Sequence, residues 1–295
     1  MLHRRQFAAL IAAILFAAPA CAGAVLDHIG TYIWRDSDPN FGGFSGIEVT
    51  EDGSRFHAVT DRAHLFRGTI ARDDTGRITG LTIDDIANLR DIWGHPLPPD
   101  TRGDSEGIAI GDDGRIWISF EGDHRIVGYD DPHDRAIATP HLPRLPGMDV
   151  NTGIEALAIR DGTLIAIPEG SANAATPFTV LARDGDRWAR VAEIRRDDNW
   201  LITGADFGPD GWLYVLERDF RGLLGFASRI RRMQLTDDGV QDDEILLTTH
   251  PMQFDNLEGI SVWDDGTGLR ITLISDDNFL RIQRTEIVEY RLRLD

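Results

Sequence analysis

From residue 44 onward the chain alternates short apolar runs with polar turns, the spacing of strands rather than of long amphipathic helices. Five segments repeat one scheme: a small or acidic residue, a short apolar strand, a turn with glycine, a second strand, then an acid. They are FSGIEVTEDGSRFHAVTDR from Phe44, DSEGIAIGDDGRIWISFEGD from Asp104, NTGIEALAIRDGTLIAIPEG from Asn151, TGADFGPDGWLYVLERD from Thr203 and NLEGISVWDDGTGLRITLISDDN from Asn256. Anchored on Gly46, Gly107, Ala156, Ala205 and Gly259, successive units lie 61, 49, 49 and 54 residues apart. A period near 50 with strand–turn–strand openings predicts a β-propeller.

The turns Glu51-Asp52-Gly53, Asp112-Asp113-Gly114, Pro209-Asp210-Gly211 and Asp264-Asp265-Gly266 supply the positive-φ residue that tight hairpins need. Between anchors there is room for two more strands, such as Phe178–Ala182 with Trp188–Ile194 and Arg229–Leu235 with Glu244–Thr248. The fifth unit has one strand left, Glu286–Arg293, and the extended stretch Val25–Trp34 is expected to supply its outer strand and close the ring. The expected fold is therefore all-β: one propeller over residues 25–295, with five four-stranded blades, six being the alternative count. Ile83–Trp93 is the longest stretch with helical character, read as part of an insertion that ends in the Pro96–Pro99 loop.

The first 24 residues break this pattern. Arg4 and Arg5 precede Gln6-Phe7, an apolar run follows from Ala8 to Ala18, and small residues end it at Ala20-Cys21-Ala22 or Ala22-Gly23-Ala24. That is the form of a cleaved signal peptide, with the paired arginines pointing to the twin-arginine route. An uncleaved anchor and a lipoprotein cysteine at Cys21 are the alternatives. The expected location is periplasmic or secreted.

Composition sharpens the picture. The chain carries 49 acids against 30 basic residues, all of them arginine, for a net charge of −19. Removing residues 1–24 takes away two arginines, no acid and the only cysteine. A surface this acidic excludes nucleic acid and anionic membrane as partners. The missing lysine excludes Schiff-base chemistry. A monomer acting on a small molecule is expected.

The acids are not scattered. Glu155 and Glu169 lie seven residues to either side of Gly162, Glu106 and Glu121 straddle Asp113, and Glu258 and Asp276 straddle the Asp264–Gly268 turn. In each hairpin the start of the first strand opposes the end of the second, so these carboxylates converge on one end of the propeller tunnel. Asp61, Asp206 and Glu217 take comparable places in the other units. Carboxylates so gathered either hold protons or bind a cation. Oxygen ligands, with Asn151, Asn256 and Asn278 nearby, favour Ca²⁺ over zinc. The rival explanation is that the repeat copies a strand-capping acid into every blade.

Arginine forms a second group. Arg218 follows Glu217, Arg62 holds the matching place in the first unit, and Arg284 follows the fifth. They would bind phosphate oxygens or simply pair with the excess acids. No Gly-x-Ser-x-Gly elbow, HExxH, P-loop or dinucleotide fingerprint occurs. Ser45, Ser105, His57, His64 and His124 suggest no definite pairing.

The ordered motifs DSEGI from Asp104, NTGIEAL from Asn151, LERD from Leu216, NLEGI from Asn256, SDDNF from Ser275 and QRT from Gln283 resemble the phytase-like family, described by its "esterase-like activity of phytase". The resemblance spans about Gly30 to the end. It implies a secreted β-propeller that hydrolyses phosphoesters or esters, and in β-propeller phytases calcium sits in an acidic tunnel with Lys and Arg on phosphate. The leading expectation is a calcium-assisted phosphoesterase. Glu106, Glu155, Glu258 and Asp276, with Asn256 and Asn278, would be metal ligands. Glu121, Glu169 or Glu217 would be the general base, and Arg218 with Arg62 or Arg284 would meet the substrate oxyanion. A calcium-dependent lactonase or carboxylesterase, with His124 as base and Asn151 among its ligands, is the second reading. A non-catalytic binding propeller is the third.

Overall fold

The computed structural model describes residues 23–146, 148 and 152–294. Residues 1–22, which hold nearly all of the expected signal segment with Cys21, and Asn151 lie outside the described residues. Among the described residues, twenty strands form five antiparallel four-stranded sheets. The first strand, β1 (Ala24–Trp34), belongs to the last blade. Blade 1 comprises β2 (Phe44–Val49), β3 (Arg55–Thr60), β4 (His64–Arg72) and β5 (Ile78–Asn88). Blade 2 comprises β6 (Ser105–Ile110), β7 (Ile116–Phe120), β8 (Arg125–Tyr129) and a short β9 (Ile137–Ala138). Blade 3 runs through β10 (Ile154–Arg160), β11 (Thr163–Pro168), β12 (Phe178–Asp184) and β13 (Arg187–Ile194). Blade 4 runs through β14 (Leu201–Phe207), β15 (Leu213–Phe220), β16 (Phe226–Thr236) and β17 (Gly239–Thr248). Blade 5 is β18 (Asn256–Asp264), β19 (Leu269–Asp276) and β20 (Thr285–Leu294), completed by β1.

The six-blade alternative is thus wrong, and the ring closes as the pattern predicts. β1 pairs with β20 from Ala24↔Leu294 to Trp34↔Thr285. At the end of β1 the Trp34 ring stacks on Phe44 of blade 1 at 5.0 Å and meets Phe56 edge-on at 5.1 Å. Arg72 of blade 1 also grips Glu289 of blade 5 with two bonds of 2.6 and 2.8 Å. Apolar faces of neighbouring blades make the core, as where Ala156, Ile167 and Phe178 of blade 3 meet Ile202, Val215 and Met233 of blade 4. The helical reading of Ile83–Trp93 fails. Its first half is the end of β5, whose residues pair with β4 from Ile78↔Arg72 to Asn88↔His64.

One irregularity recurs in every blade. The register between first and second strands slips between Phe44 and Gly46, Ser105 and Ile108, Ile154 and Ala156, Ile202 and Gly204, and Leu257 and Gly259. A β-bulge inserts a residue and re-aims its side chain. Here the bulges begin at Ser45, Glu106, Glu155, Thr203 and Glu258. Just below them the strands come close: a Cβ on Gly107 would stand 2.6 Å from the Glu155 carbonyl, and one on Gly204 2.7 Å from that of Glu258. The tunnel narrows there to a cavity of about 10 Å³.

Candidate metal centre and active site

The bulges put five equivalent residues at the tunnel mouth: Ser45, Glu106, Glu155, Thr203 and Glu258. A second ring follows from the strand pairing. Phe44, Ser105, Ile154, Ile202 and Leu257 oppose Thr60, Phe120, Pro168, Glu217 and Ser275. The residue after each of these is Asp61, Glu121, Glu169, Arg218 or Asp276. Four blades therefore place a carboxylate at this position and blade 4 places a guanidinium. Asp104, before the bulge of blade 2, adds a further acid.

Arg218 neutralises one side of the mouth. Its Nη2 donates to Glu169 Oε1 at 2.8 Å, and its Nη1 to Glu258 Oε1 at 2.5 Å and Asn256 Oδ1 at 3.0 Å. The Asn256 amide nitrogen also donates to Glu258 Oε1 at 2.7 Å. On the blade 2 side, oxygens of Asp104, Glu106 and Glu121 lie within 4.8 Å of one another. Among the described residues no arginine pairs with Asp104 or Glu106.

Like charges in a desolvated ring are held off by protons. Burial first, then Glu155, Asp104, Glu258 and Glu121, pushes Glu106 far above the usual carboxylate range. Burial and the Glu169, Glu258 and Glu121 charges do the same to Glu155. Burial raises Asp104, against a hydrogen bond with Glu106. Burial carries Glu258 to about 7 despite Arg218, and burial with Glu258 carries Asp276 to about 8. Asp61, buried and facing Asp276 and Asp104, rises to about 7, and its Oδ1 is buried without a partner. A clustered, oxygen-only donor set that pays to ionise fits a hard cation.

The ring sorts the sequence expectations. Glu106, Glu155, Glu258, Asp276, Glu121, Glu169 and Arg218 are brought together, and Asn256 braces Arg218 against Glu258. Asn278 is exposed; its backbone nitrogen bonds Asp276 Oδ1 at 2.6 Å. Glu217 is not at the mouth. One position earlier in the strand, it points into blade 4, fully buried, with Arg229 Nε at 2.5 Å and Arg231 Nη1 at 2.8 Å. Arg62 is not the equivalent of Arg218, whose place in blade 1 belongs to Asp61; its guanidinium lies 3.3 Å from the Phe279 ring centroid. Arg284 is 46% exposed and bonded to Glu286 at 3.0 Å.

Asp206 also leaves the set. It belongs to the opposite end, in a cavity of about 890 Å³ that also contains Glu48 and His57. Burial carries Asp206 to about 7, and burial with Asp206 raises Glu48. Asp104 was missed by the hairpin rule because it precedes the strand, although Asp104 and Glu106 two residues apart were its signal. Among the described residues no serine is hydrogen-bonded to a histidine, and Ser105 Oγ is spent on the Thr60 carbonyl at 2.6 Å. His124 sits near Gly153 with Nδ1 buried and unpartnered.

The family described as "Phytase-like: Esterase-like activity of phytase" matches residues 39–279, which include every ring residue. The chain belongs to the phytase-like family. No protein of curated function matches it. Solved propellers are similar in fold alone. The PQQ-bound aldose sugar dehydrogenase of Streptomyces coelicolor is 14% identical, with a TM-score of 0.47 over 92% of this chain and 99% of that one. A Dyadobacter fermentans protein of unknown function is 11% identical, with a TM-score of 0.46 over 92% and 99%. A luciferin-regenerating enzyme is 9% identical, with a TM-score of 0.42 over 91% and 95%.

Proposed function

We infer that this phytase-like protein is an exported, calcium-assisted hydrolase of phosphoesters or related esters. The observation that carries this reading is the double ring at the mouth, in which seven carboxylates share the ten positions with Ser45, Thr203 and one guanidinium, Arg218. Asp104, Glu106 and Glu121 would hold the cation, with Glu155 beside them. This revises the ligand set expected from the sequence, since Glu258 and Asn256 are engaged by Arg218. Calcium bound there would supply a Lewis acid and lower the pKa of a coordinated water.

The chain's own groups do the rest. Arg218 keeps a fixed positive charge at the mouth, where an anionic oxygen of the substrate would meet it. Glu169, held through Oε1 by Arg218, is the base candidate that remains once Glu217 is committed to its ion pairs and Glu121 to the cation. Asn256 positions Arg218 and Glu258 rather than touching substrate. The closed waist below the ring confines substrate to the outer face.

A panel of phosphate esters, carboxylic esters and lactones, assayed with calcium and with chelator, tests the reading. Calcium-dependent release of product that falls at least a hundredfold in Glu169→Gln is the expected result. Turnover indifferent to chelator, or absent from the whole panel, contradicts it.

A further inference from the structure

The face that carries the acidic mouth is also unusually apolar. Among the described residues, the large apolar side chains more than half exposed lie on this face, apart from Ile245 on β17 and Leu294 at the end of β20. On blades 4 and 5 they occupy three loops: Phe220, Leu223 and Leu224 between β15 and β16, Met252 between β17 and β18, and Leu280 and Ile282 between β19 and β20. Leu223 and Leu224 sit on a single 3₁₀ turn, Gly222–Leu224, which buries nothing. Polar residues there would cost the fold nothing. On the opposite face the corresponding hairpin tips are Asp-Gly turns.

The part of the patch on blade 4 adjoins the site. The Arg218 guanidinium lies 5.8 Å from the Phe226 ring centroid, and Phe226 stands 5.1 Å from Phe220. Met252 donates its backbone nitrogen to the Phe226 carbonyl at 3.1 Å. The same loops carry the exposed cations Arg221, Arg281 and Arg284. A contiguous exposed apolar patch rimmed by polar residues marks a binding surface, where a single exposed residue does not. A path thus runs from the charged centre, over Phe226, onto apolar side chains.

We propose that the substrate is amphiphilic: an ester whose oxyanion lies at Arg218 while its apolar chain or ring lies on Phe220, Leu223, Leu224 and Met252. This names the substrate class of the site above and rests on the hydrolase reading. The occupant is the apolar part of one substrate molecule, since the patch adjoins the guanidinium through Phe226 rather than forming a separate face.

Binding of octylphosphonate and methylphosphonate to the mature protein with calcium, followed by calorimetry, tests this without requiring turnover, because a carbon–phosphorus bond is not an ester. Octylphosphonate is expected to bind at least tenfold more tightly, the effect of burying about two methylenes. That preference should vanish in Leu223→Ser/Leu224→Ser and shrink in Met252→Ser, with methylphosphonate affinity and Tm unchanged. Equal affinities, no binding of either, or a preference kept in both variants overturns the proposal. So does binding to phosphatidylcholine vesicles without a preference for the monomeric octyl compound. If the preference holds while no ester is hydrolysed, the hydrolase reading fails and the apolar subsite stands. Hydrolysis without any chain-length preference gives the reverse.

Discussion

Arg218 of blade 4 reaches across the blade boundary to Glu258 of blade 5, with Nη1 2.5 Å from Oε1, from the ring position that the other blades give to an acid. The contact makes a five-fold repeat into an asymmetric site. One side of the mouth is neutralised from within, and the other is left to protons or a cation.

Replacing Arg218 by Leu leaves Glu169 and Glu258 buried without their partner. A broken buried pair costs about 3–5 kcal/mol. Thermal unfolding in chelator should show that loss, and calcium should restore part of it by drawing the freed carboxylates into its field. A variant as stable as the parent in chelator would mean that the pairing carries no weight.

Glu217 and Glu169 predict opposite phenotypes although each binds arginine. Glu217→Gln deprives Arg229 and Arg231 of a carboxylate that is fully buried, so Tm should fall sharply while the folded fraction keeps its calcium affinity. Glu169→Gln leaves Arg218 its bonds to Glu258 and Asn256, so it should retain most of its stability and lose turnover. Calorimetry and rate measurements on the same samples separate the two.

That contrast also shows how far the sequence could be read. The hairpin rule, first-strand start opposite second-strand end, found Glu106 with Glu121, Glu155 with Glu169, and Glu258 with Asp276. It depends only on counting outward from a turn. It failed in blade 4, where TGADF was anchored on Ala205 when the structural equivalent of Gly46 is Gly204. A slip of one residue exchanges the two faces of a strand. Such a slip puts Glu217 at the mouth and matches Arg218 with Arg62 instead of Asp61, whereas Asp206 is misplaced along its strand, being near the hairpin end of β14 rather than at its start. The bulges were illegible for the same reason: nothing in the local pattern marks the inserted residue. The Ile83–Trp93 stretch misled because β5 is a blade's outer strand, whose weakly alternating pattern leaves helix and strand hard to tell apart.

The raised carboxyls fix the sign of the pH dependence in chelator. Asp61, Asp206 and Glu258 at about 7 and Asp276 at about 8 hold protons in the folded chain that the unfolded chain has released. Below about pH 4 both states are protonated and the stability is fully present; it falls as pH rises from there to about 8, then levels. The urea midpoint should decline across this window, less steeply in Asp206→Asn, whose group lies at the far end of the tunnel. A midpoint that rises with pH would contradict the protonated ring.

The waist is equally exposed to test. Gly204→Ala puts a methyl 2.7 Å from the Glu258 carbonyl, backbone that cannot swing away. Overpacking of this kind costs about 1–3 kcal/mol. The shift of β18 should also loosen the Arg218–Glu258 contact, so a variant with unchanged Tm would argue against the closed waist.

The most direct measurement is calorimetric titration of the mature protein with calcium at neutral pH, alongside Glu106→Gln and, as a control from the opposite mouth, Glu48→Gln. The account predicts a site in the parent and in the control, weakened at least tenfold in Glu106→Gln, with protons released on binding. No binding in the parent, or equal binding in all three proteins, would return the carboxylate rings to a purely structural role.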